Sequence, residues 1–323
     1  MLQDIGGAQP GRFSRDASDD IHHQATLLRA WEQEYAQLQP GRFRGSVNFL
    51  RNGCVRLFSE QMNRATFQVG SLPEGRLAFG LPTRAAGASV ICGEEGNRDS
   101  LFVFSGRTGF EFRSPAEFEF LGIEMSCDDD GDPVYGAMAR RLAGILGSTR
   151  RAIPLDAHRA RKLGRLLQTM LDEDPICELL SFDSQAVAFN RGLIGWILDL
   201  LPDPASRPGR PGQRHWDTVA KIRRLVAESP LCPVSVAELM VEIGVSRRTL
   251  QTACHETVGL TPVQYLRTLR LGEARRALGQ ARSVTEAATQ FGFWHLGYFA
   301  RDYKAMFGEL PSETLQGHRR RLA

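Results

Sequence analysis

Ser235-Val236-Ala237-Glu238 opens a stretch that runs through Ile243-Gly244-Val245 to Gly259 and Pro262. Ser283-Val284-Thr285-Glu286 opens a second that runs through Phe291-Gly292-Phe293 to Gly308 and Pro311. Each copy reads as a helical stretch, an apolar-Gly-apolar turn and a second helical stretch. The copies are offset by 48 residues before the turn and 49 after it, so the second gains one residue at the turn. Helix, glycine turn, helix is the layout of a helix-turn-helix unit, whose second helix enters a major groove. Two units in one chain can read two groove segments without a partner subunit. The competing reading is a pair of α-hairpins packed on each other or on another protein. The shared register and the distribution of polar residues favour DNA.

Ser246 stands where an N-cap should stand, its hydroxyl available to a free N–H of the next turn. At 100° per residue, Leu250, Ala253, Cys254, Thr257 and Val258 gather on one face of the first outer helix, and Arg248, Gln251, Thr252 and His255 on the other. Arg pairs with guanine edges, Gln with adenine, and Thr contacts a thymine methyl or a phosphate. In the second copy Phe299, Tyr303, Met306 and Phe307 form the apolar stripe, while Gly297, Tyr298, Arg301 and Lys304 point away. That face holds fewer base-reading groups, so the first helix is expected to carry more sequence information and the second more phosphate positioning. Trp294 is expected to pack under the turn. Pro262 to Leu278 reads as a bridging helix with Pro at its first position. At about 1.5 Å per residue it spans roughly 25 Å, short of the roughly 34 Å between successive major-groove faces. DNA engaged by both units should therefore bend.

The stretch Val236 to Leu315 resembles the DNA-binding domain of the AraC/XylS transcription regulators. The resemblance rests on Gly244-Val245-Ser246-Arg247-Arg248-Thr249-Leu250, Gly259-Leu260-Thr261-Pro262 with Tyr265, and Arg270-Leu271 with Ala274. Phe291-Gly292-Phe293, Phe299, Arg301, Phe307-Gly308 and Pro311 extend it. The string Trp294-His295-Leu296-Gly297-Tyr298-Phe299-Ala300, then Asp302-Tyr303, is similar to the branch that includes the ethanolamine-operon regulator. The family's base-reading slots fall on Arg248, Gln251 and Thr252, then on Leu296, Gly297, Tyr298 and Arg301. A second basic residue that many relatives carry near Ala300 is absent. With the N-cap and its neighbour, the candidate DNA-binding set is Ser246, Arg247, Arg248, Gln251, Thr252, His255, Leu296, Gly297, Tyr298, Arg301 and Lys304. The resemblance implies a bacterial, usually activating, transcription factor that works with RNA polymerase, with a cupin-like barrel sensing a small-molecule effector.

Charge follows the same division. Residues 214–323 carry a net +6 and residues 1–213 a net −3 within the chain's total of +3. The basic surplus lies on the repeat, as an electrostatic footprint on DNA should. The 42% hydrophobic content and 24% charge are ordinary for a globular protein. No run of about 20 apolar residues exists, so no membrane span is expected. Cys54, Cys92, Cys127, Cys177, Cys232 and Cys254 are scattered without a C-x-x-C, which argues against zinc and a disulfide framework and for cytoplasmic thiols.

Residues 1–20 read as a disordered tail. Ile21, Ala25, Leu28, Trp31 and Tyr35 recur at helical spacing and predict a helix over 21–38. From residue 40 to 126 short apolar runs alternate with Gly, Pro and Asn, which predicts a small β-barrel or sandwich. An enzyme of the cupin type would need two or three histidines on a metal, and none occurs between His23 and His158. No phosphate loop or G-x-S-x-G is present. No metal, cofactor or catalytic residue is therefore expected.

Helices are predicted over Val134 to Leu146, over Leu155 to Leu171 with Arg/Lys on one side, and over Ser184 to Leu201. The last is apolar nearly all round. Phe189, Leu193, Trp196, Ile197 and Leu200 are its candidate dimerisation residues, intrachain packing being the alternative, and it is the expected route of effector coupling. Pro202 to Gly212 reads as a Pro/Gly linker. The expected fold is α+β: a tail (1–20), a cupin-like sensing domain (21–130), a helical segment (131–201), a linker (202–213) and an all-α double helix-turn-helix domain (214–323). The expected function is a one-component regulator that binds promoter DNA, with a homodimer as a further expectation. The alternative is an architectural or partner-binding helical protein with a purely structural barrel.

Overall fold

Alternating side chains settle the N-terminal half into strands. In β10 (Phe110–Ser114) Phe110, Phe112 and Ser114 are buried and the residues between them are half-exposed, the period of two of a strand whose alternate side chains turn to opposite faces of the sheet. The computed structural model describes residues 12–105, 109–128, 131–147, 150–172, 183–201, 213–228 and 235–322. β1 (Arg12–Ser18), β3 (Gly45–Asn52), β4 (Val55–Met62), β11 (Phe118–Ser126), β6 (Arg76–Arg84), β9 (Ser100–Ser105) and β12 (Ala152–Pro154) pair in that order into a seven-stranded sheet. β2 (Glu32–Gln37), β5 (Thr66–Ser71), β10, β7 (Ser89–Ile91) and β8 (Glu94–Gly96) form a five-stranded one. The two sheets pack face to face without joining, so the expected barrel is open.

Aromatic rings fill the space between the sheets. Phe104 meets Phe110 edge-on at 4.9 Å and Phe102 meets Phe112 at 5.4 Å, with Trp31 against Phe58 at 5.8 Å. Such pairs add about 0.5–1.5 kcal/mol each beyond the area they bury. Gly122 of β11 makes room for this packing: a Cβ there would lie 2.2 Å from the Phe58 ring across the pair. Two acidic groups are buried with their partners. Glu60 accepts hydrogen bonds from Gln24 Nε2 and Tyr35 OH, each at 3.0 Å. Burial pushes its carboxyl up to about 7 against the pull of those bonds. Glu124 accepts from Trp31 Nε1 and pairs with Arg56 and Arg76.

Two expectations for the N-terminus need correction. Residues 12–18 of the expected tail form β1 against β3; residues 1–11 lie outside the described residues. The expected helix over 21–38 is a short helix, α1 (Ile21–Leu27), followed by strand β2. The four-residue step from Trp31 to Tyr35 satisfies a period of two as well as one of 3.6, so the pair continued the helical pattern without being helical. Asp20 caps α1 by accepting from the His22 and His23 amides. Ala30, at φ 73°, turns the chain into β2.

Helices α2 (Pro133–Gly147), α3 (Ala157–Asp172) and α4 (Asp183–Leu200) cover the outer face of the seven-stranded sheet. Strands β4 and β11 are consequently buried on both faces, and the charged groups they carry, Arg56, Glu60 and Glu124, are buried with partners. Leu193, Ile197 and Leu200 of α4 are buried in this cluster with Leu142 and Leu163. These three expected dimerisation residues are spent within the chain. Phe189 and Trp196 are half-buried against the same cluster. Helical periodicity counted the apolar residues of α4 without seeing that the sheet and α2 together need more than one face of it. The expected linker at 202–212 lies outside the described residues, as do Cys177 and Cys232.

The outer face of the five-stranded sheet carries the C-terminal helices. Leu38, Phe67 and Val90 share a core with Trp216, Val219 and Ile222 of α5 (Gln213–Glu228), and with Leu250, Tyr265 and Leu266. Phe67 stacks on Trp216 at 5.8 Å and meets Tyr265 edge-on at 6.5 Å. Polar contacts ring this core. Arg223 pairs with Glu34 at 2.6 Å, Gln37 Nε2 donates to the Met306 carbonyl at 2.7 Å, and Arg275 pairs with Asp20 at 2.7 Å. The molecule is thus layered: helices, seven-stranded sheet, five-stranded sheet, helical domain.

Candidate nucleic-acid interface

The first unit is built from capping signals. Ser235 and Glu238 form a reciprocal capping box at the start of α6 (Val236–Ile243). Gly244, at φ 71°, ends that helix in the left-handed conformation, which costs glycine little. The Val245 amide reaches back to the Met240 carbonyl at 3.1 Å. Ser246 then caps α7 (Arg247–Val258) by accepting from the Thr249 amide at 3.1 Å. Leu250, Ala253, Cys254, Thr257 and Val258 are buried. Burial pushes the Cys254 thiol up to about 12, which makes it a packing group rather than a reactive one.

The opposite face of α7 is open. Arg247, Arg248, Gln251 and His255 are exposed, and Thr252 is half-buried. No hydrogen bond or ion pair holds Arg247, Arg248 or Gln251 among the described residues. Ser246 is exposed, but its hydroxyl is engaged in the cap and with Thr249 Oγ1. The bridging helix α8 (Pro262–Leu278) runs over the expected seventeen residues, opened by Thr261 and Gln264 in a second capping box with Pro262 in its first turn.

The second unit repeats this plan with departures. Ser283 caps α9 (Val284–Gln290), and the Phe293 amide reaches the Ala288 carbonyl at 3.0 Å, the same bond that Val245 makes in the first turn. Phe293 packs on Phe299 at 4.9 Å. His295 opens α10 (Leu296–Phe307) with no side-chain cap. Phe299, Tyr303, Met306 and Phe307 are buried as the spacing predicts, and Gly297, Tyr298, Arg301 and Lys304 are exposed. Leu296 is exposed too, at 39%. Trp294 does not pack under the turn: it is 68% exposed, because Phe293 already fills that place. Arg301 lies 5.0 Å over the Tyr298 ring and 3.5 Å from Asp302, so its guanidinium is partly engaged.

A network that sequence reasoning missed ties this unit to the N-terminal domain. Arg275 of α8, buried, pairs with Asp20 and with Glu309 at 2.8 Å, donates to Tyr303 OH at 3.2 Å and lies 4.8 Å over Phe307. Although burial opposes it, the Arg275 charge and the α1 amides hold Asp20 down at about 2. His22 Nε2 contacts the Gly272 carbonyl at 3.1 Å, and burial lowers the ring to about 4. Only the basic character of α8 hinted at these contacts.

Two helical units, each with a buried stripe beneath an open outer face and joined by one helix, define a double helix-turn-helix DNA-binding protein. A helix-turn-helix domain family matches residues 239–317. The chain is 35% identical over 128 residues to the XylDLEGF operon transcriptional activator 2 of Pseudomonas putida, covering 38% of this chain and 80% of that protein. It is 41% identical over 88 residues to the probable thc operon regulatory protein of Rhodococcus erythropolis, 26% of each chain, so the match spans about a quarter of that relative's length. The crystal structure of the AraC-like transcriptional activator CuxR aligns with 82% of this chain at 16% identity and a TM-score of 0.44. The chain belongs to the AraC/XylS family of helix-turn-helix transcription regulators. Among the described residues no helix is long and apolar enough to cross a membrane.

Proposed function

We propose that this protein is a one-component transcription activator rather than an enzyme, acting in the cytoplasm on promoter DNA and RNA polymerase. In this reading α7 reads base edges through Arg248, Gln251 and Thr252. Arg247 and His255 flank that row, and Ser246 fixes the start of the helix. On α10, Leu296, Gly297 and Tyr298 face the groove, and Arg301 and Lys304 steer the helix along the backbone. The observation that carries the proposal is the open row Arg247, Arg248 and Gln251 on a helix whose other face is fully buried. Such groups are solvated in the free protein and can exchange water for base edges and phosphates. The string Trp294-His295-Leu296-Gly297-Tyr298 supports a place in the branch that includes the ethanolamine-operon regulator.

The N-terminal domain is proposed to sense a small effector. Support comes from its docking: Phe67 and Val90 of the five-stranded sheet belong to the same core as Leu250 of α7. A ligand that shifts the sheet would therefore bear on the helix that reads DNA, and it can act only through different affinities for two such states. The half-buried Phe189 and Trp196 are the part of the proposed dimer surface that intrachain packing leaves open.

Hydroxyl-radical footprinting of the full-length protein on a bound promoter fragment tests the regulator reading. Two protected groove segments about one helical turn apart are expected. Uniform protection, or a single segment, would contradict the two-unit reading.

A further inference from the structure

The second unit has one residue more than the first at its turn, and the structure identifies it. Val245 and Phe293 make the same backbone bond to the residue five before them and both pack inward. After Val245 comes the N-cap Ser246 directly; after Phe293 comes Trp294, and only then the N-cap His295. The inserted residue has no inward place to fill. It stands 68% exposed immediately before a recognition helix.

The next positions changed with it. Counting from each N-cap, Arg247 and Arg248 of the first unit correspond to Leu296 and Gly297 of the second. Two cations that can bond guanine are replaced by an exposed aliphatic side chain and by no side chain. Nothing lies within 4 Å of where a Gly297 Cβ would stand, so the space before the helix is open. Tyr298 follows at 61% exposure, with the His295 ring edge-on at 6.1 Å and the Arg301 guanidinium over its face at 5.0 Å. Trp294, Leu296 and Tyr298 thus give the start of this helix a water-exposed surface that is largely apolar. Its leading groups match the one apolar feature of the major groove, the thymine C5 methyl.

We propose that the second recognition helix reads thymine methyl groups through Trp294 and Leu296, with Tyr298 held as a platform by Arg301, and not base hydrogen-bonding edges. This rests on the regulator reading above. It makes the operator asymmetric: a half-site under α7 chosen by hydrogen bonds, and one under α10 chosen by methyls. It also changes the role expected of α10, from backbone positioning to base selection.

The test uses the full-length protein and an operator selected from random duplexes. Each thymine of the selected site is replaced in turn by deoxyuridine, which removes only the methyl. Under the second unit one or two positions should each lose about threefold to fourfold in affinity, the worth of one buried carbon group. Trp294→Ala and Leu296→Ala, both changes at exposed side chains, should abolish that loss, while Arg248→Ala keeps it. Acrylamide quenching gives a second readout. Trp31 and Trp216 are buried and Trp196 half-buried, so Trp294 is the accessible ring; DNA should protect it, and Trp294→Phe should remove the protected component. If no thymine under the second unit responds, or if both alanine variants respond like the parent, the proposal is wrong while the regulator reading stands. If no sequence is selected at all, both fall.

Discussion

Arg248 shows what a single position can decide. Its guanidinium is exposed on the outer face of α7 and has no partner among the described residues, so its removal leaves the fold intact. Arg248→Ala should weaken specific binding by about 1–3 kcal/mol and relax one operator position. Lys304→Ala should weaken all sequences alike and lower the salt slope by about one phosphate contact. Salt titrations on operator and random DNA separate the two, and equal losses on both DNAs for Arg248→Ala would exclude base reading. Two titrating groups packed into the fold, one of them partly exposed, make opposite predictions about pH. His22 is depressed to about 4, so the unfolded chain takes its proton first and the stability this site supports erodes as pH falls from 6.5 towards 4. His22→Gln should therefore lose its disadvantage against the parent in acid, by on the order of 2 kcal/mol after allowing for partial exposure of the ring. Glu60 is raised to about 7, so its contribution is present below about 4.5 and lost as pH rises through 7. Glu60→Gln should gain on the parent over that rise. Denaturant melts of parent and variants across pH 4–8 check both signs. The buried stripes and open faces of α7 and α10 were legible in the sequence because a 3.6 period with one packed side leaves little choice. Trp294 was misjudged because a one-residue insertion shifts which neighbour fills the inward place.

At the scale of elements, the capped helices of the repeat were legible, as were α2, α3 and α4, while the passage from α1 into β2 was not. Ser235, Ser246, Pro262 and Ser283 mark helix starts through local chemistry that needs no tertiary contact. Residues 21–38 have no such marker at Trp31, and the four-residue step from Trp31 to Tyr35 fits helix and strand alike. Helix α4 was legible as buried, but what it packs on was not. Ile197 is held in the core of sheet and helices, so Ile197→Asp should destabilise the whole N-terminal domain by more than 4 kcal/mol through an unpaired buried charge, not selectively uncouple an effector. Circular dichroism melts should show a lowered transition or an unfolded chain. A stable, well-folded variant would mean that the α4 contacts are not as described. The α1–α8 connection makes a parallel case. Asp20→Ala removes both the cap of α1 and a partner of buried Arg275, and should cost roughly 3–5 kcal/mol. The same melts read this, and a loss below about 1 kcal/mol would reduce the network to a surface contact.

For the molecule as a whole, the docking of the helical domain on the five-stranded sheet joins residues far apart in sequence, such as Asp20 with Arg275. No periodicity or motif reports contacts at that separation, which is why they were invisible until the fold was in view. Phe67 stands at the centre of this contact, between Trp216 and Tyr265. Phe67→Ala should loosen the docking by about 3–5 kcal/mol. Hydrogen exchange should then speed up in α5 and α8 while the interior strands keep their protection. Unchanged exchange in α5 and α8 would mean that the two domains are not energetically joined there. The central claim is that this chain selects one DNA sequence through its two open recognition faces. Its most direct test is the ratio of full-length protein's affinity for a selected operator to that for random duplex of equal length, at one fixed salt concentration. The account predicts a ratio of roughly a thousandfold or more, falling by about tenfold or more in Arg248→Ala. A ratio near one, or a high ratio that Arg248→Ala leaves untouched, would contradict it.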